Sequence, residues 1–199
     1  MFIIGITGGS GSGKTTALCV LRELGALILD SDEIYHELLV SSAEMKSELA
    51  ARYDGVVTAG RIDRKKLAEI VFNDPVALSD LNSITHKYVT SEVDRRISDW
   101  AEKGGAVAAV EAIALFESGG AVRCDTVIGI TAPPEMRVSR IMQRDNLTQE
   151  QAKLRIDAQK PDTYYAEHCD HMLNAFYDDP DEFADVCEVF FKGLIENNI

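Results

Sequence analysis

Positive charge is scarce in this 199-residue chain: 20 Lys and Arg stand against 33 Asp and Glu, a formal net charge of −13. A surface so acidic repels the phosphate backbone of DNA or RNA, which argues against a general nucleic-acid binder. Cysteine is sparse as well. Cys19, Cys124, Cys169 and Cys187 contain no CxxC pair, so neither a zinc site nor a disulfide framework is expected, and the four read as reduced, buried thiols. Long apolar runs are missing. The longest, Ala106 to Phe116, includes Glu111 and falls short of a membrane span. The opening Met-Phe-Ile-Ile-Gly-Ile is too short for the apolar part of a signal peptide and lacks a basic start, so a cytoplasmic protein is expected. There is no low-complexity tract and no fixed-period repeat. No Asn-Lys-x-Asp or Asp-x-x-Gly element is present, which argues against a GTPase switch. What remains, 46% hydrophobic and 27% charged residues, describes an ordinary globular protein of one domain.

The pattern along the chain alternates strands with helices. Phe2 to Ile6 is a short, continuous apolar run rich in β-branched residues, as in a strand buried on both faces. A helical pattern follows from Gly13 to Leu24, ended by Gly25. Ala26 to Leu29 reads as a second buried strand, and a helix begins near Asp30-Ser31-Asp32. Residues 33–104 are dominated by helical patterns, with turn signals at Asp54-Gly55, Ala59-Gly60 and Asn73-Asp74-Pro75. Buried strands return at Ala106–Val110 and Thr126–Ile130, the latter closed by Pro133-Pro134. Residues 135–160 read as two charged helices joined at Asp145–Thr148, with a capping box formed by Thr148 and Gln151. His171–Asn174 suits a short fifth strand, and a last helix runs from about Asp181 to Glu196. This order predicts an α/β fold: a parallel sheet of about five strands with helices on both faces, plus a helical insertion. Ligands of such folds bind beyond the carboxyl ends of the strands.

The segment Gly8-Gly9-Ser10-Gly11-Ser12-Gly13-Lys14-Thr15 fits GxxxxGK[ST] without a gap, between a predicted strand and a predicted helix. Its glycines, Gly8, Gly11 and Gly13 among them, let the backbone turn tightly and aim N–H groups at anionic oxygens. The helix N-terminus adds partial positive charge. Lys14 can reach the β- and γ-phosphates of ATP, and the Thr15 hydroxyl can ligate Mg²⁺. The motif thus predicts a P-loop NTPase fold in three layers, with ATP held by Gly8, Gly11, Ser12, Gly13, Lys14, Thr15 and Thr16.

Acids and bases cluster at the other strand ends. A carboxylate at Asp30 or Asp32 could take a proton from an acceptor hydroxyl or orient it, and Asp32 could equally serve as a helix N-cap. Glu111 either supports Mg²⁺ or is a surface carboxylate. Arg137, Arg140 and Arg144 share one helix face, with Lys153, Arg155 and Lys160 close behind. They supply the local positive charge that a phosphate ligand requires of an acidic protein, or form a solvated face paired with Glu135, Asp145 and Glu150. Arg61 and Arg64 carry a weaker version of the argument, and His86 has either a ligand or a structural role.

These residues together resemble the dephospho-CoA kinase family over nearly the whole chain. The loop at residues 6–16, the Asp-x-Asp at Asp30–Asp32, the run Gly60 to Leu67, Val71-Phe72, Leu81 to His86, Ala114 to Glu117, and Arg140, Arg144-Asp145 and Gln159 follow the family order. Departures are Lys87 and Ile113, where the family usually has proline, and Ala175, where it has glycine. The resemblance implies transfer of the ATP γ-phosphate to the ribose 3′-hydroxyl of dephospho-CoA, giving coenzyme A and ADP. It implies Lys14, Asp32 and Arg140 as catalytic residues, with Asp32 as the base. Arg144 would join the ATP site, Arg64, His86, Glu117 and Gln159 would contact the acceptor, and Thr15 and Glu111 would serve Mg²⁺. It further implies a nucleotide-binding core (1–30, 105–134, 168–199), an acceptor-binding region (31–104) and a lid (135–167), in a monomer or small homo-oligomer. A kinase for another nucleoside, nucleotide or shikimate-like acceptor, and a nucleotide-dependent regulatory protein without turnover, are the competing readings.

Overall fold

The computed structural model describes residues 1–72, 74–177 and 179–199. The turn expected at Asn73 therefore lies outside the described residues. The chain divides into two compact units, one formed by Met1–Leu29 with Trp100–Ile199, the other by Asp30–Asp99. The latter ends at Asp99, inside a long helix.

The first unit is built on strands β1 (Phe2–Thr7), β2 (Leu27–Asp30), β5 (Val107–Glu111), β6 (Thr126–Thr131) and β7 (His171–Asn174), in the spatial order β2-β5-β1-β6-β7. β1 runs parallel to both β5 and β6, and β6 parallel to β7. β5 is buried at every position, which explains its unbroken apolar sequence up to Glu111. Helix α1 (Lys14–Glu23) and the C-terminal α9 (Pro180–Glu196) pack against each other. Between them and the sheet lies a core that includes Ile4, Ile6, Leu21, Ile128, Phe183 and Phe191. Each such side chain contributes about 1.5–3 kcal/mol by leaving water. α1 ends in paired bonds, Ala26 N to Leu21 O at 2.9 Å and Gly25 N to Arg22 O at 3.0 Å. The only tryptophan, Trp100, donates from Nε1 to Val107 O at 3.0 Å, and its ring fills the space where Gly105 lacks a side chain.

The two charged helices expected over 135–160 are α6 (Pro134–Asp145) and α7 (Gln149–Asp157), and a third, α8 (Asp162–His168), follows before β7. The third is seven residues long and begins just after Pro161, too short for a periodic signal. The capping box at Thr148 and Gln151 is formed, with both reciprocal bonds present.

The second unit holds α2 (Ser31–Ser41), α3 (Ala43–Arg52), α4 (Arg64–Phe72) and most of α5 (Pro75–Glu102). It is not purely helical. β3 (Val57–Thr58) and β4 (Arg61–Ile62) form a two-stranded antiparallel ribbon that turns at Ala59-Gly60, both with positive φ. Its own core contains Met45, Leu49, Tyr53 and Leu67, and the Tyr53 hydroxyl donates to Ala77 O at 2.7 Å. No helix among the described residues is long and apolar enough to cross a membrane.

Candidate active site

The loop between β1 and α1 is held by its carbonyl side. Lys14 Nζ donates to Gly8 O at 2.8 Å and to Gly9 O at 3.3 Å. Arg137 Nε donates to Ser10 O at 3.0 Å, and an Arg140 guanidinium nitrogen to Gly11 O at 3.2 Å. Four consecutive carbonyls, Gly8 to Gly11, thus accept from three cationic side chains. Gly13, with φ 108°, precedes Lys14 at the start of α1, and the first turn of that helix contains no acidic residue. The helix N-terminus is therefore left to attract an anion from outside the helix. Ser12 Oγ is buried with no hydrogen-bond partner. A buried hydroxyl in this position is costly unless a ligand or water satisfies it.

Glu111, the last residue of β5, is buried at 6% exposure, so it is not a surface carboxylate. Its Oε1 lies 3.4 Å from Lys14 Nζ. Thr15 is exposed at the start of α1. A hydroxyl and a carboxylate are hard oxygen donors of the kind Mg²⁺ accepts while keeping phosphate and water ligands. The described residues contain no group of three or more His, Cys, Asp or Glu able to hold a metal ion by themselves. The donor set thus fits Mg²⁺ arriving with a polyphosphate.

The helical basic cluster divides in two. Arg137 is 3% exposed and also bonds Asp162 Oδ1 and Gln159 Oε1, each at 3.2 Å. Arg140 also donates to Ala175 O at 3.1 Å and Tyr177 O at 3.2 Å, and burial lowers its pKa below the usual guanidinium value. Arg144, by contrast, is engaged by its neighbour Asp145 at 2.8 and 2.9 Å, and Asp145 also pairs with Arg155. These two arginines hold the Asp145 carboxyl down at about 2, Arg144 contributing most. Arg144 and Arg155 thus match the solvated alternative. Gln159 spends both ends of its carboxamide on Ser10: Oε1 accepts from Ser10 N and Nε2 donates to Ser10 Oγ, each at 2.8 Å. Glu117 is exposed and 4.0 Å from Lys160 Nζ, beside an aromatic group in which Tyr164 stacks on His168 at 4.2 Å and Phe116 packs edge-on to Tyr164.

In the Asp30–Asp99 unit, the N-cap of α2 is Asp30 rather than Asp32. Asp30 Oδ1 accepts from Asp32 N and Glu33 N. The Asp32 side chain is exposed and makes no hydrogen bond among the described residues. Arg64 begins α4, where its charge partly offsets the rise in the Tyr35 phenol pKa caused by burial. His86 lies on α5, and burial lowers its pKa. The cysteines correct one expectation: Cys187 is buried and Cys124 and Cys169 are half-buried, but Cys19 is exposed on α1.

A family model of dephospho-CoA kinase matches residues 2–176. The chain belongs to the dephospho-CoA kinase family. The dephospho-CoA kinase of Moorella thermoacetica is 39% identical over 166 residues, covering 82% of this chain and 78% of the relative. The solved dephospho-CoA kinase of Campylobacter jejuni superposes with a TM-score of 0.71 at 27% identity, covering 99% of this chain and 98% of the other. Shikimate kinase from Acinetobacter baumannii, covering 100% of this chain and 96% of its own, has a TM-score of 0.55 at 16% identity and shares the fold alone. As a member of a kinase family the chain uses ATP.

The three departures from the dephospho-CoA kinase pattern are all accommodated. Lys87 pairs with Glu48 at 2.5 Å and lies over the Tyr88 ring. Ile113 uses its carbonyl to accept from Thr7 Oγ1 at 3.2 Å. Ala175 is fully buried, donates to Thr131 O at 2.7 Å, and sets its methyl group against Gly13. Sequence reasoning placed Arg137 in the basic cluster but did not assign it to the site. Its spacing with Arg140 put both on one face, but spacing carries no information about which carbonyls that face meets.

Proposed function

We propose that the chain transfers the γ-phosphate of ATP to the ribose 3′-hydroxyl of dephospho-CoA, releasing coenzyme A and ADP. The observation that carries the reading is the loop itself. Its carbonyls are turned to Lys14, Arg137 and Arg140, and α1 opens on Gly13 without an acid to occupy its positive end. That is a polyphosphate cradle, and the family supplies the acceptor.

In this reading Gly11 to Thr16 supply backbone N–H groups to the phosphates, and Lys14 moves from the loop carbonyls toward the β- and γ-oxygens as ATP enters. Thr15 and Glu111 would hold Mg²⁺, whose chemistry is to neutralise charge on the β- and γ-phosphates. Asp32 accepts the proton of the 3′-hydroxyl as that oxygen attacks phosphorus. Its exposed, unengaged carboxylate supports this role, since a base must be free to meet its acceptor. Arg64, His86 and Glu117 are assigned to acceptor binding, while Gln159, with both ends of its carboxamide on Ser10, is reassigned from the acceptor to the phosphate loop. Arg140 is assigned to stabilising charge in transfer, and Arg144 to the nucleotide once released from Asp145. Residues 31–104 serve as the acceptor-binding region and 135–167 as the lid. A soluble, cytoplasmic monomer or small homo-oligomer acting on a small molecule fits the acidic composition.

The test is ADP release from purified protein with Mg-ATP, with dephospho-CoA set against nucleosides, nucleotides and shikimate. Stimulation by dephospho-CoA, with coenzyme A detected by mass spectrometry, is the expected result. Stimulation by a different acceptor alone would move the substrate, and no stimulation by any acceptor would remove the kinase reading.

A further inference from the structure

Ser10 is gripped at all three of its polar groups by residues that follow β6. Its N–H and hydroxyl are taken by the two ends of the Gln159 carboxamide, at 2.8 Å each, and its carbonyl by Arg137 Nε at 3.0 Å. The two gripping side chains also bond each other, Arg137 to Gln159 Oε1 at 3.2 Å, and Asp162 Oδ1 holds the far side of the guanidinium at 3.2 Å. The neighbouring loop residue completes the fit. A Cβ on Gly9 would stand 2.0 Å from an Arg137 guanidinium nitrogen and 3.0 Å from Gln159 Oε1, so Gly9 has no room for a side chain while Arg137 is in place. Gly11 is equally close to the Arg137 backbone, with a Cβ position 2.7 Å from Arg137 O.

We infer that Arg137 and Gln159 are positioning residues that fix the Gly9–Ser10 lip of the phosphate loop before nucleotide arrives; the inference rests on the kinase reading for its consequence in turnover. Arg137 is 3% exposed, its guanidinium distributed over Ser10 O, Gln159 and Asp162. A planar fork with fixed donors suits this task, whereas an ammonium offers a single point of charge. A loop held in its binding shape spares the ordering cost that a free glycine-rich segment would meet on binding. The clasp therefore acts on nucleotide affinity and on placement of the γ-phosphate, with little effect on the acceptor.

The experiment compares Arg137→Ala, Arg137→Lys and Gln159→Ala with the wild type. It measures hydrogen exchange of the loop peptide in nucleotide-free protein, the Kd for Mg-ATP by calorimetry, and separate KM values for ATP and dephospho-CoA. Arg137→Ala should speed loop exchange and raise the Kd for Mg-ATP about tenfold or more, the size of one lost charge-assisted hydrogen bond. The KM for dephospho-CoA should stay within about twofold, since no donor to the acceptor is removed. Arg137→Lys should recover part of the loss, and Gln159→Ala should act in the same direction but less. Should Arg137→Ala fail to fold, Gln159→Ala, on a half-buried surface residue, carries the test. Wild-type loop exchange and ATP affinity in a folded variant would overturn the inference, as would a rise confined to the KM of dephospho-CoA. A wild type that binds Mg-ATP yet passes no phosphate to dephospho-CoA would remove the functional reading and leave the loop measurement standing.

Discussion

Asp30 holds the backbone of Asp32: its Oδ1 lies 2.8 Å from Asp32 N and 3.0 Å from Glu33 N. One aspartate caps the helix, and the other keeps an exposed carboxylate. Substitutions should therefore separate stability from chemistry. Asp30→Ala removes an N-cap and should cost about 1 kcal/mol, seen as a lower Tm. Asp32→Asn should leave Tm and ATP affinity in place and lower kcat by about two orders of magnitude or more, the usual effect of losing a general base. Near-normal turnover in Asp32→Asn would transfer suspicion to Glu111.

Lys14 is expected to matter twice. It donates to Gly8 O and Gly9 O and stands 3.4 Å from the buried Glu111. Lys14→Ala removes the cation meant for the phosphates and takes away a charge partner of Glu111. Calorimetry should show weakened ATP binding, and coupled assay no measurable turnover. Turnover within about tenfold of wild type, a loss of only about 1.4 kcal/mol, would contradict the assignment.

Gly13 has no room for a methyl group. Its φ is 108°, and a Cβ there would lie 2.9 Å from the Ala175 methyl and 3.2 Å from the Phe183 ring. Gly13→Ala should lose about 1–3 kcal/mol from backbone strain alone, and nucleotide affinity with it. Adding Ala175→Gly should recover only the steric part. A thermal melt of the two variants distinguishes the contributions, and an unchanged Tm in Gly13→Ala would refute the argument.

The thiols should react unequally. Burial pushes Cys124 and Cys187 up to about 12 and Cys169 to about 11, whereas Cys19 is exposed. Because the thiolate is the nucleophile, a disulfide reagent at pH 8 should find one fast thiol in the native protein and four after unfolding. Loss of the fast phase in Cys19→Ser checks the assignment.

His86 gives stability a pH dependence of known sign. Burial lowers its folded pKa below 6.5, so the unfolded chain binds the proton first as pH falls. The contribution of neutral His86 is complete above about pH 6.5 and is lost as pH drops from there toward the folded value. Denaturant titrations should show a shallower decline below pH 6.5 in His86→Gln than in wild type. Identical slopes would show that His86 does not carry the effect.

Much of this was legible in the sequence because the relevant features are either periodic or spelled out in full. The apolar run before Gly8 and the GxxxxGK[ST] spacing defined β1, the loop and α1. Buried runs at Ala106–Val110 and Thr126–Ile130 marked two more strands of the sheet. Elements of two residues escaped, since neither Val57-Thr58 nor Arg61-Ile62 is long enough to show a period of two, although their Ala59-Gly60 turn was visible. At the site, helical spacing grouped Arg137, Arg140 and Arg144 but could not tell that the first two meet loop carbonyls while the third turns to Asp145. Nor could composition show that Asp30, and not Asp32, would cap α2. Both questions depend on where backbone groups from distant or adjacent residues point, and a residue pattern does not encode that.

The placement of Trp100 has a practical consequence. Its indole N–H is tied to Val107 O at the start of β5, the strand that ends at Glu111, and its ring lies against the bare backbone of Gly105. Since the chain contains no other tryptophan, its emission comes from a single, defined place in the sheet-bearing unit. Excitation at the red edge of indole absorption therefore gives the protein a native optical reporter on that strand, and unfolding can be followed without attaching a dye.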